Sequence, residues 1–376
     1  MRTTHTAYRD IFTARKVTAT GDTPWRTTPD SLTAWIDPYL TLAVRGVRSD
    51  GVAHKITLHL TRFAAFFTEA YGHERLSSCL RRDVVAWQTA LTAQGLAPST
   101  INNHLASLSA FTTWVSAQAP QAFPGGDPTK GIGVLGLAPP EPRALRPAQV
   151  RTLKSLCDRL DRYHQRRPRR GRRRSRSEQE PPRLRAHGRP WRDRAIVYVL
   201  LSTGLRREEL VRLDLTQLHP HTMDDLRRAR RARLSRVRGK GKTERSVFLS
   251  ADARAALADY LERERPRDAT ATSAALFLSA SGLPARAVDG RLSPRAVNLI
   301  LARIGRWHDA ELADPRRHVS PLRPHDLRHT FAFHLAAATG ADAYELERRL
   351  GHRSQRYIQR YTHPPDDVAA AYVEGF

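Results

Sequence analysis

Two arginines, a lysine, two histidines and a tyrosine stand in four short polar motifs of the C-terminal half. These read TGLRREEL (203–210), RGKGKTER (238–245), HDLRH (325–329) and LGHRSQRYIQRYTH (350–363). No carboxylate cluster able to hold a metal accompanies them. The inventory suits one chemistry, in which a tyrosine attacks a phosphodiester and cations stabilise the phosphorane-like transition state. Attack crowds negative charge onto the nonbridging oxygens, and guanidinium groups answer it with planar, bidentate donors that stay protonated. Arg206 and Arg328 are the candidates for that role.

The remaining members fit around the arginines. Lys240, between Gly239 and Gly241, could deliver an ammonium proton to a leaving 5′ oxygen as general acid. Lys242 could do the same, or both could simply position phosphate. Glu209, three residues after Arg206, shares its helical face and could orient it, or form an ordinary surface ion pair. His325 and Arg328 are also three apart. His329, four after His325, lacks the following Glu of a zinc-binding helix and reads as a core or supporting histidine. His352, after Gly351, can donate a hydrogen bond to a phosphate oxygen. A phenol with a pKa of about 10 attacks poorly unless nearby cations stabilise its anion. Tyr361 and Tyr357, four residues apart, are the available phenols.

Elements must hold these groups, and the pattern predicts two domains, mainly α with a small β component. Residues 1–29 are polar and aperiodic, a mobile leader. Residues 30–120 are helical in pattern. Ile56, Leu58, Leu60, Phe63, Phe66 and Phe67 form an amphipathic stripe, a second helix covers 84–94, and a third starts at Ser99-Thr100, where a hydroxyl can cap it. Prolines and glycines crowd 121–146, a linker. The catalytic domain would then occupy 147–376, with a buried helix over 191–203 and a hairpin over 233–250. Further helices are expected over 251–264, from Ser293-Pro294, and from His325 after Pro324. Residues 165–187 form an Arg-rich insertion with almost no apolar content, expected to be disordered and able to touch DNA backbone.

Composition narrows the partner. Sixty-three Lys and Arg face 37 Asp and Glu, a net charge of +26 over 376 residues. Such an excess predicts a polyanionic partner and salt-sensitive binding, although Arg-rich usage also follows from a GC-rich genome. The two cysteines, Cys79 and Cys157, are too few for a disulfide scaffold and fit a reducing cytoplasm. The longest apolar run, 195–201, is far shorter than the roughly 20 residues that span a bilayer. No membrane partner is expected.

Taken together, the motifs resemble those of the tyrosine recombinases of the phage integrase family, and the resemblance runs over roughly residues 30–376. DLRHTFAFHL (326–335) is close to the family pattern. In that family the nucleophile lies nine residues after the histidine of LGH, within YTH, which favours Tyr361 over Tyr357. The GKG hairpin likewise favours Lys240 over Lys242. The resemblance implies an N-terminal helical core-binding (SAM-like) domain and a mixed α/β catalytic domain that together clamp double-stranded DNA. It also implies a catalytic set of Arg206, Lys240, His325, Arg328, His352 and Tyr361, with Glu209 in support.

A 3′-phosphotyrosyl intermediate, a free 5′ hydroxyl and strand exchange without ATP, metal or other cofactor follow from the family chemistry. Four protomers would assemble on two DNA sites, with an accessory DNA-bending or directionality protein as a further partner. The expected setting is the cytoplasm, on the nucleoid, with integration, excision or resolution of a mobile element or replicon as outcome. Two other classes remain: a type IB topoisomerase that relaxes DNA with the same chemistry, and a nonenzymatic DNA-binding protein.

Overall fold

The computed structural model describes residues 30–137, 143–165, 188–239, 243–284 and 286–351. The leader (1–29), insertion residues 166–187, Lys240 to Lys242, and everything from His352 onward, including Tyr357 and Tyr361, lie outside these. The chain divides into two compact units, Met1–Pro140 and Glu141–Phe376.

In the first unit four helices surround an aromatic core. They are α1 (Leu32–Tyr39, continued by a π-helical turn), α2 (Asp50–Tyr71), α3 (Arg81–Ala93) and α4 (Pro98–Gln118). Helical spacing turns Ile56, Leu60, Phe63, Ala64 and Phe67 of α2 inward, where the Phe63 ring meets Trp87 edge-on at 4.9 Å. Leu58, expected in that stripe, is instead 58% exposed, because it lies on the opposite side of the helix from Ile56 and Leu60. Neither Ser99 nor Thr100 caps α4. Ala97 is the N-cap and Pro98 fills the first turn, a position that needs no backbone N–H.

After α4 the chain runs back along the same unit. The buried Asn102 side chain holds the backbone of Leu135 at both ends, donating to its carbonyl at 2.9 Å and accepting from its N–H at 2.9 Å.

The second unit contains α5 (Pro147–Cys157), α6 (Leu160–Gln165), α7 (Pro190–Thr203), α8 (Arg207–Val211), α9 (Met223–Arg228), α10 (Ala251–Arg263), α11 (Pro294–Asp309), α12 (Pro324–Ala338) and α13 (Ala343–Leu350). Helix α7 is its axis: Ala195 through Leu200 are all buried, and α10 and α12 pack against it. A helix apolar on every side belongs inside a core. Ser293 caps α11 by accepting from the Ala296 N–H. The one sheet among the described residues is antiparallel, in the order β1 (Leu218–His219), β2 (Ala232–Arg238), β3 (Glu244–Leu249). The fold is thus mainly α with a small β component, as the sequence pattern predicts.

Strand β2 carries a bulge. Leu234 faces Val247, and Val237 faces Arg245, with the register shifting in between. Arg236 takes a φ of 50° there. The extra residue lets both Leu234 and Val237 point into the core although they are three apart.

Candidate active site

Arg206 is placed by a sharp turn. Helix α7 ends at Gly204, whose φ of 60° is left-handed and whose N–H caps onto the Leu200 carbonyl at 3.0 Å. Arg206 then becomes the N-cap of α8. Glu209 reaches back to it twice: one oxygen accepts the Arg206 backbone N–H at 2.8 Å, the other accepts from its guanidinium at 2.9 Å. The carboxylate therefore satisfies a helix N-terminus and fixes the arginine at once. Arg207 turns aside to Glu208, at 2.7 Å.

Arg328 enters from the first turns of α12 and is buried. Its guanidinium donates to the Gly204 carbonyl at 2.5 Å and to the Leu350 carbonyl at 2.7 Å. Arg206 also approaches the end of α13, at 3.5 Å from the Leu350 carbonyl and 3.3 Å from that of Gly351. The two arginines of separate motifs thus meet on one backbone oxygen. The last carbonyls of a helix have no partners within it and carry its negative dipole end, so cations are favoured there. At these carbonyls the Arg206 contacts are longer than that of Arg328 to Leu350.

A third arginine belongs to the same cluster and was absent from the sequence-derived set. Arg245, on β3, donates through Nη1 and Nη2 to both oxygens of Glu209, at 3.0 and 2.8 Å, and through Nε to the Arg349 carbonyl at 2.9 Å. Its signal in the sequence is strand period: Arg245, Val247 and Leu249 share a face, and the latter two are buried. Burial alone would raise the pKa of Glu209. The hydrogen bonds and charges of Arg245 and Arg206 outweigh it and hold the carboxyl below its usual range.

His325 stands one turn before Arg328, exposed at its edge. Partial desolvation, then the charges of Arg328, Arg206 and Arg207, keep its pKa below the usual 6.5. His329 lies beside it, ring centres 6.2 Å apart. Among the described residues, no three His, Cys, Asp or Glu side chains converge as a metal site, and no helix is long and apolar enough to cross a membrane. The structure therefore brings together Arg206, Glu209, His325 and Arg328. Lys240, His352 and Tyr361 lie outside the described residues; Gly239, before Lys240, and Gly351, before His352, stand at the cluster.

Residues 179–367 match the family model described as the phage integrase family. The tyrosine recombinase XerC of Mycobacterium sp. (strain KMS) is 31% identical over 328 residues, covering 87% of this chain and 92% of that protein. XerC of Bifidobacterium longum (strain DJO10A) is 36% identical over 173 residues, 46% of this chain and 43% of that one.

The fold resembles that of the Tn1549 transposon integrase bound to a circular intermediate DNA, with a TM-score of 0.59, 19% identity and coverage of 93% of this chain and 100% of that one. It also resembles XerH site-specific recombinase on a palindromic difH substrate, with a TM-score of 0.62, 17% identity and coverage of 91% and 84%. A match over half the chain to the family model, joined to an XerC relative alike over nearly its whole length, places this chain in the phage integrase family of tyrosine recombinases.

Proposed function

We propose that this protein is a site-specific DNA recombinase that cuts and rejoins strands through a 3′-phosphotyrosyl intermediate. The observation that carries the reading is the meeting of Arg206 and Arg328 on the Leu350 carbonyl, one residue before Gly351-His352. Two guanidiniums held by helix-end carbonyls, with Glu209 fixing one of them, form a preorganised anion site at the mouth of the segment that supplies a histidine and a tyrosine.

In this reading the Tyr361 phenol gives up its proton to solvent as its oxygen attacks the scissile phosphorus, while the bond to the 5′ oxygen breaks. Lys240 gives its proton to that oxygen, and Arg206, Arg328, His325 and His352 stabilise the charge on the nonbridging oxygens. A 5′ hydroxyl from a second duplex then attacks the phosphotyrosine and releases the phenol, so each bond broken is replaced by an equivalent one. Neither ATP nor a metal is needed for that balance. The basic excess of the chain fits the DNA partner, and exchange between two sites implies four protomers. An accessory DNA-bending or directionality protein would set the outcome among integration, excision and resolution on the nucleoid.

The test is a plasmid carrying two copies of a DNA site that the protein binds. Recombinant circles of new size, lost with Tyr361→Phe, are the expected products. Relaxed circles of unchanged order would point instead to topoisomerase action, and unchanged DNA, at a site proven to be bound and paired, would contradict strand transfer.

A further inference from the structure

Arg245 is almost wholly buried, with 9% of its side chain exposed, against 4% for Glu209. Burying a charge pair costs desolvation that an apolar pair of similar volume would avoid, so its place here calls for work beyond cohesion. The geometry supplies that work. One fork of Arg245 grips both Glu209 oxygens, and Glu209 in turn holds the backbone and guanidinium of Arg206. The Nε of Arg245 meanwhile ties the Arg349 carbonyl at the end of α13. Two motif glycines border the pair, and at Gly351 a side chain would crowd it. A Cβ on Gly351 would stand 3.0 Å from Arg245 Nη1, and one on Gly239 would stand 3.6 Å from both Arg245 Nη1 and Glu209 Oε1.

We infer that Arg245 is a positioning residue: acting through Glu209, it fixes the Arg206 guanidinium where the scissile phosphate will sit. The inference rests on the strand-transfer reading above. A lysine at 245 keeps the charge but loses the planar fork, so Glu209 would lose its two-point hold and Arg206 its fixed aim.

The experiment compares single-turnover cleavage by wild type, Arg245→Lys and Glu209→Gln in the full chain, on a bound, nicked DNA site. Each protein is tested with an ordinary scissile phosphodiester and with a methylphosphonate there, whose neutral methyl removes the charge that Arg206 must meet. The ratio of the two rates within one preparation cancels any difference in the fraction folded. Both variants are expected to cleave the diester about tenfold or more slowly than wild type, yet the methylphosphonate within about twofold of it. Equal slowing on both substrates would reduce Arg245 to a structural role and overturn the inference, as would full activity of Arg245→Lys on the diester. If wild type itself forms no adduct on either substrate, the strand-transfer reading falls and this role falls with it.

Discussion

Phe331 lies so close over Gly204 that a Cβ at that glycine would stand 2.3 Å from the ring Cδ1. The glycine is also left-handed, with φ of 60°. Backbone and ring thus both require hydrogen at this position, two residues before Arg206. The contact joins α7 to α12, and so joins the turn that aims Arg206 to the helix that carries Arg328. A conformational demand and a packing demand coincide where the two arginines are set against each other.

Gly204→Ala should therefore cost more than an ordinary surface change. Left-handed strain and overpacking together predict a loss of about 2–4 kcal/mol in the second unit. Cleavage should slow as well, because the turn and the ring cannot both keep their places. Denaturant unfolding beside single-turnover cleavage checks this. A stable, fully active Gly204→Ala would mean that the turn does not set Arg206.

The pH behaviour of His325 has a definite sign. Its folded pKa lies below the usual 6.5, so as pH falls through 6.5 the unfolded chain takes up the proton first. The associated stability is fully present above that pH and is lost below it. Nuclear magnetic resonance titration of the His325 ring should give a midpoint below 6.5 in the free protein. DNA binding should raise that midpoint, since a phosphate beside the ring favours its charged form. His325→Gln should remove this share of the acid destabilisation. A free-protein midpoint above 6.5 would contradict the electrostatics of the cluster.

Particular residues show what the sequence disclosed of fold and site. Glycine and proline punctuation placed the ends of α3 and α7 and the starts of α11 and α12 close to where they occur, because those residues restrict the backbone locally. The hairpin around 239–243 was legible from its glycines, but the bulge at Arg236 was not, since a one-residue slip leaves no compositional mark. Arg328 stood out through its motif, and its burial could not be read from charge. Arg245 was overlooked because a charged side chain on a strand is ordinarily solvated. Strand period hints at its core face, and the assembled fold shows Glu209 waiting opposite. The cap of α4 misled for a related reason: Ser99-Thr100 offers hydroxyls, yet Pro98 before them already fills the first helical position.

The most direct measurement is covalent trapping on a nicked DNA site that the protein is shown to bind, with wild type, Tyr361→Phe and Tyr357→Phe side by side. An SDS-resistant protein–DNA adduct, formed with chelator present and lost only in Tyr361→Phe, is the predicted result. An adduct that survives Tyr361→Phe, or wild type that binds the nicked site and never links to it, would contradict the proposed nucleophile and the strand-transfer chemistry built on it.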